Sequence, residues 1–117
     1  MLTRLVEIRE QVPWIASVCA GGMVLAHAGL LEGRRATTNR NCFHEFRSLV
    51  GTLIDARVVD DGDLITAGAL TSGLDLGLHI VQRFLGRDAA EHASKGLEYP
   101  ADEMWSDPTY IVGEARD

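Results

Sequence analysis

Trp14-Ile-Ala-Ser-Val-Cys19-Ala-Gly-Gly-Met-Val-Leu-Ala-His-Ala-Gly-Leu-Leu-Glu-Gly33 is the stretch that decides the fold. A short apolar run, Trp14 to Val18, stops abruptly on Cys19. Two glycines follow at once, then a helix-like apolar pattern, Ala20 to Ala28, that Gly29 closes as its C′ residue. The pattern predicts a buried strand, a sharp turn and a helix, with Cys19 at the turn. Such a turn lifts its side chain above the edge of the sheet. The thiol then stands beside a helix N-terminus, whose unpaired N–H groups and dipole favour the thiolate. A nucleophile elbow is built this way, here with sulfur in place of serine oxygen. The plainer readings are a buried small hydrophobe at Cys19 and small residues, Gly21 and Gly22, that a tight turn needs sterically.

Upstream, Leu2, Leu5, Val6, Ile8 and Val12 share most of one helical face, and Pro13 ends that helix. Downstream, Arg34 to Thr38 reads as a short strand. Asn39 to Val50 reads as a helix with Phe43, Phe46, Leu49 and Val50 as its apolar stripe. Ile54 to Val59 and Asp63 to Ala67 flank an Asp-Gly turn and predict a hairpin. Leu70 to Leu85 is the longest helix, apolar on nearly all sides and expected to be mostly buried. Asp88-Ala-Ala-Glu91 resembles a capping box that opens a last short helix ending at Gly96. Residues 1–100 are thus expected to form one domain and 101–117 an extended tail, packing through Tyr99, Trp105 and Tyr110 if at all. Strands alternating with helices indicate α/β layering.

Composition narrows the function. The 117 residues are 46% hydrophobic and 24% charged, with a net charge of -6. That balance disfavours nucleic acid and anionic membranes as partners, because both attract basic patches. No apolar run approaches the ~20 residues of a membrane span. No signal peptide is legible, and Cys19 and Cys42 read as free thiols, so a cytoplasmic setting is expected. A small molecule is the expected ligand.

Other candidates have competing readings. Asp75 and His79, four apart on the long helix, are either an orienting acid–base pair or a solvated or core-edge pair. Thr37, Thr38, Thr66 and Thr71 either line a pocket at strand ends or serve strand propensity and capping. Arg34 and Arg35 read as one solvated cation and one paired with a carboxylate. Cys42, His44 and Glu45 lack zinc-like spacing, so no metal or other cofactor is implied. His27 and His92 read as surface or satisfied histidines.

Val18-Cys-Ala-Gly-Gly-Met-Val-Leu-Ala-His-Ala-Gly-Leu-Leu-Glu-Gly-Arg-Arg-Ala-Thr-Thr38 resembles the elbow region of the DJ-1/PfpI (ThiJ) superfamily. Asp60-Asp-Gly-Asp-Leu-Ile-Thr-Ala-Gly-Ala-Leu-Thr-Ser-Gly-Leu-Asp-Leu-Gly-Leu-His79 resembles its later hairpin and helix. The likeness is to its isonitrile hydratase-like branch and to the sensor domains of AraC-type regulators. It implies part of a flavodoxin-like sandwich related to class I glutamine amidotransferases, usually homodimeric. Cys19 would be the nucleophile, and the N–H groups of Ala20 and a neighbouring glycine would form an oxyanion hole. Water addition to an isocyanide, giving an N-substituted formamide, is the activity implied for that branch.

Three departures temper the expectation. The family's N-terminal half, with the acid that contacts the thiol, is expected to be missing, so the chain reads as truncated. Ala20 follows the cysteine where protease-like members have His and many hydratase-like members Thr. Asn39 stands where many relatives carry a histidine after the Ala-Thr-Thr strand. Thr38, Asn39, Thr71 and Asp75 are the remaining pocket candidates. The alternatives are a non-catalytic ligand-binding or regulatory domain and a degenerate remnant.

Overall fold

The computed structural model describes residues 2–113. Helix α1 (Leu2–Arg9) leads into strand β1 (Ile15–Val18), and helix α2 (Gly21–His27) follows the turn at Cys19. Gly29, at φ 81°, ends α2 as expected. The Leu30 N–H reaches Leu25 O at 3.1 Å and the Gly29 N–H reaches Ala26 O at 3.0 Å, which is the paired Schellman closure. Strand β2 (Arg35–Ala36), a 3-10 turn (Arg40–Cys42), helix α3 (Phe43–Phe46) and strand β3 (Thr52–Leu53) come next. The hairpin is β4 (Val58–Asp60) and β5 (Leu64–Ala67), and helices α4 (Ser72–Leu85) and α5 (Arg87–Gly96) follow it. Helix α6 (Asp102–Ser106) and strand β6 (Ile111–Gly113) complete the described chain.

The main sheet has the order β1-β5-β4-β6. Strand β1 pairs parallel with β5, placing Val18 beside Ala67, while β4 is antiparallel to β5 and parallel to β6. Alternation along the strands sends Ile15 and Leu64 to one face, with Leu25 and Ala26 of α2, Leu31 and Phe46. Val18, Ile65 and Ala67 face the other way, against Leu76 and Ile80 of α4. Helices therefore cover both faces of a mixed, largely parallel sheet.

The structure departs from several sequence expectations. Residues 39–50 do not form one helix, because the chain must turn at Gly51 to lay β3 parallel to β2; Phe46 still enters the core at 0% exposure. The first hairpin strand is confined to Val58–Asp60. Helix α4 starts at Ser72 and is only half buried: Leu76 and Leu78 are covered, while Leu74, Phe84 and Leu85 are exposed, as is Leu70 ahead of it. Trp14 precedes the buried strand but is itself exposed, meeting the Phe84 ring edge-on at 5.1 Å. No side-chain cap forms at α5; Gly86, at φ 98°, sets its start, and Glu91 bonds Arg87 instead.

Residues 101–113, expected as an extended tail, instead supply α6 and β6. Met104 and Ala101 close a third apolar cluster with Leu78, and the Arg57 and Val58 N–H groups both donate to Tyr110 O. The aromatic residues make this docking favourable: Trp105 Nε1 donates to Gln82 Oε1 and the Arg87 guanidinium lies over the Trp105 ring. Residues 114–117 lie outside the described residues.

Arg34 and Arg35 both pair with Asp61, and Arg34 also reaches Asp63, which Arg9 bonds from α1. Burial pushes the Asp61 carboxyl up, but hydrogen bonds from Arg34 and Arg35 and the Arg34 charge outweigh it and hold it below the usual range. At Asp63 the Arg34 hydrogen bond leads and the direction is the same. Lowered carboxylates stabilise the fold above their unfolded pKa, ~3.9, and lose that contribution as pH falls through the lower folded value. The urea midpoint should therefore hold from neutrality to about pH 5 and fall below about pH 4. Asp61→Asn should flatten that fall, and an unchanged slope would show that Asp61 does not drive it.

Candidate functional site

Cys19 occupies a left-handed backbone conformation, φ 55°, between the end of β1 and the start of α2. For a residue with a Cβ this conformation costs about 1–3 kcal/mol and persists only where neighbours impose it. Three segments do so. The Cys19 N–H donates to Gly68 O at 2.6 Å, tying the turn to the end of β5. Thr38 Oγ1 donates to Cys19 O at 2.7 Å, and the Gly22 N–H reaches the same oxygen at 3.2 Å. The thiol is half-buried and free.

The two glycines play different parts. At Gly22 an added Cβ would lie 3.1 Å from Thr38 Oγ1 and 3.2 Å from Thr37 O, so a side chain there would require α2 or the Thr37–Thr38 segment to give by a few tenths of an ångström. At Gly21 the nearest atom would be Ser17 Cβ at an ordinary 3.7 Å. The N–H groups of Ala20 and Gly21 have no hydrogen-bond acceptor among the described residues. They stand immediately after Cys19 as unused donors, as first-turn N–H groups do.

Thr37, Thr38 and Thr66 are all buried, and their hydroxyls organise backbone. Thr66 Oγ1 accepts the Thr37 N–H at 2.9 Å, fixing the end of β2 against β5. Beyond them opens a cleft of about 500 Å³, walled by Thr38, Asn39, Gly68, Ser72, Arg57 and Tyr110, among others. Cys19 is not among its lining residues. The cleft borders the turn through Thr38 and Gly68, the two partners of the Cys19 backbone.

Asp75 and His79 do not meet. Asp75, fully buried on α4, accepts Arg57 Nε at 2.6 Å and Tyr99 Oη at 2.9 Å. His79 turns to Asp60, its Nε2 2.7 Å from Oδ2, and Arg83 joins that carboxylate at 3.0 Å. One helical turn thus sends its two polar residues to opposite ends of β4, Asp75 to Arg57 just before the strand and His79 to Asp60 at its end. Thr71 joins Asp75 indirectly, through Arg57 Nη2 at 3.2 Å. Burial lowers the Arg57 pKa, but the hydrogen bond and charge of Asp75 overcome that and raise it, with smaller help from Tyr99 and Tyr110. Burial, then Asp75, raises the Tyr99 pKa as well, so its hydroxyl stays a donor. Arg57 went unread in the sequence. The available signal was a lone cation before a buried strand and a lone acid inside an apolar helix, which together call for a pair.

Residues 3–83 match the model of the DJ-1/PfpI family. The chain belongs to the DJ-1/PfpI family. It is 40% identical over 113 residues to isonitrile hydratase of Pseudomonas putida, an alignment covering 91% of this chain and 49% of that protein. It is 28% identical to Protein DJ-1alpha of Drosophila melanogaster, covering 71% of this chain and 38% of the relative. Among solved structures, a ThiJ/PfpI family protein from Pseudomonas syringae superposes with a TM-score of 0.69 at 39% identity, over 76% of this chain and 37% of the other. Drosophila DJ-1beta gives 0.72 at 26% identity, over 83% and 53%. The chain thus spans about half or less of the length of these DJ-1/PfpI relatives. The likeness agrees with the expected partial DJ-1/PfpI sandwich. No helix among the described residues is long and apolar enough to cross a membrane.

Proposed function

We propose that Cys19 is the nucleophile of a DJ-1/PfpI site that adds water to an electrophilic carbon, with an isocyanide as substrate. The observation that carries this reading is the left-handed Cys19 set between a strand and a helix, followed by the unused N–H groups of Ala20 and Gly21. The 40% likeness to isonitrile hydratase supports the choice of carbon electrophile. The thiolate adds to the terminal isocyanide carbon, which takes a proton and becomes an S-bound thioimidate. Water then adds to that carbon while nitrogen takes a proton. The tetrahedral adduct expels the thiolate and sheds its hydroxyl proton, leaving the N-substituted formamide. Ala20 and Gly21 would donate to the oxygen as charge gathers on it. A homodimer in the cytoplasm is the working form in this reading.

Competitive labelling with iodoacetamide at pH 7 tests it, with Cys19→Ser leaving Cys42 as the sole thiol. Cys19 should react at least about tenfold faster than Cys42. Equal rates would remove the activated-nucleophile reading. Formamide release from a simple alkyl isocyanide should also vanish in Cys19→Ser. The second reading, a ligand-binding regulatory domain without catalysis, is favoured by the cleft, which Cys19 does not line. A ligand-induced thermal shift retained in Cys19→Ala, with no labelling advantage, would select it.

A further inference from the structure

Arg57 stands in the wall of the cleft beside the turn. Arg57 bonds Asp75 through Nε and Thr71 through Nη2, and its guanidinium lies 5.2 Å over the Tyr110 ring. Its Nη1 has no partner among the described residues, and the side chain is 32% exposed where it lines the cleft. A guanidinium fixed on one edge by a buried carboxylate and on its face by an aromatic ring is preorganised. Holding it ready costs a ligand no side-chain ordering.

We propose that Arg57 is the specificity residue of this cleft and takes a carboxylate carried on the substrate's nitrogen substituent. Thr38 and Gly68 line the cleft and also bond the Cys19 backbone, so the cleft borders the Cys19 turn. The role assigned to the rest of that ligand rests on the reading of Cys19 above; the carboxylate site does not. A planar carboxylate matches the fork of a single guanidinium. A phosphate would call for a second free cation. Arg40, the other arginine in the lining, is already paired with Asp55 at 3.1 Å. Of the carboxylates in the lining, Asp55 is paired with Arg40, while Asp107 keeps its charge and turns Oδ1 to the Thr109 N–H at 2.9 Å and Oγ1 at 2.6 Å. The cleft volume, about 500 Å³, suits a small molecule rather than a peptide.

The probes are N-formylglycine and N-formylglycinamide, two formamides of nearly equal shape that differ in the carboxylate. Calorimetric or NMR titration of the unaltered chain should show the acid binding at least about tenfold more tightly than the amide. Arg57→Gln combined with Asp75→Asn removes both charges together, so no buried carboxylate is stranded, and should abolish the preference. Arg57→Lys keeps the charge beside Asp75 but loses the planar fork, and should lose most of it. Equal affinities on the unaltered chain, absence of saturation, or a preference that survives both variants would overturn the proposal. Neither formamide is expected to consume the thiol, so Cys19→Ala should keep the preference. Failure of the labelling test would thus leave this result readable, and the reverse holds.

Discussion

Asp75→Ala is expected to lower the unfolding free energy by about 2–4 kcal/mol, moving the urea midpoint down by roughly 1–2 M. Asp75 has no exposed surface and accepts two hydrogen bonds, from Arg57 Nε and Tyr99 Oη. Removing it strands a cation and a hydroxyl that were desolvated on its account. The loss stops short of a fully buried pair because Arg57 remains one-third exposed and water can reach it. Asp75 also links α4 to the segment before β4 and to the Tyr99 turn. Its removal should therefore loosen residues 99–110 together with the helix. Asp75→Asn, which keeps one oxygen but turns an amide toward the second donor, should fall between alanine and the unaltered chain. A midpoint change under about 0.3 M for alanine would mean that the network is not structural.

Gly51→Ala is expected to be more disruptive. Gly51 sits at the surface, yet a Cβ there would lie 2.5 Å from Gly33 C, 2.6 Å from Arg34 N and 2.7 Å from Arg34 O. All three are backbone atoms and cannot rotate away. The same crossing holds the Gly51 N–H on Leu31 O and the Thr52 N–H on Arg34 O, which align β3 with β2. Separating the strands would also pull Arg34 and Arg35 from Asp61. A loss above about 3 kcal/mol is expected, enough to deplete the folded form of a small domain at 37 °C. Gly77→Ala is the control with opposite sign. No atom lies within 4 Å of its Cβ, and a mid-helix alanine should stabilise α4 by about 0.5–1 kcal/mol. Thermal melts of the two variants should move in opposite directions.

Much of the fold was legible because it is written in local periods. The apolar run before Cys19, the glycines after it and Gly29 at the helix end describe β1, the turn and α2 without any distant contact. The Asp-Gly turn between two apolar runs describes β4 and β5 in the same way. The expected 39–50 helix was not legible as a 3-10 turn and the short helix α3 ahead of β3. Its apolar stripe is real, with Phe46, Leu49 and Val50 all serving the core, but the path between them is set by Gly51 meeting Gly33 and Arg34. Residues 101–113 carry no strong period. Their helix and edge strand come from Trp105, Tyr99 and Tyr110 finding partners on α4, α5 and β4.

By itself the sequence determined the strand–Cys19–helix turn, the hairpin and the long helix, because residues within a few positions of one another decide those. It also carried the DJ-1/PfpI lineage in the residues around Cys19. Only the tertiary structure decided that Asp75 serves Arg57 and Tyr99 while His79 serves Asp60, and that β1 lies beside β5 rather than β2. It decided as well that Arg57 faces a cleft next to the turn. Those outcomes depend on which buried polar group reaches which partner across distant parts of the chain. Desolvation makes that pairing compulsory, and nothing in local spacing records it.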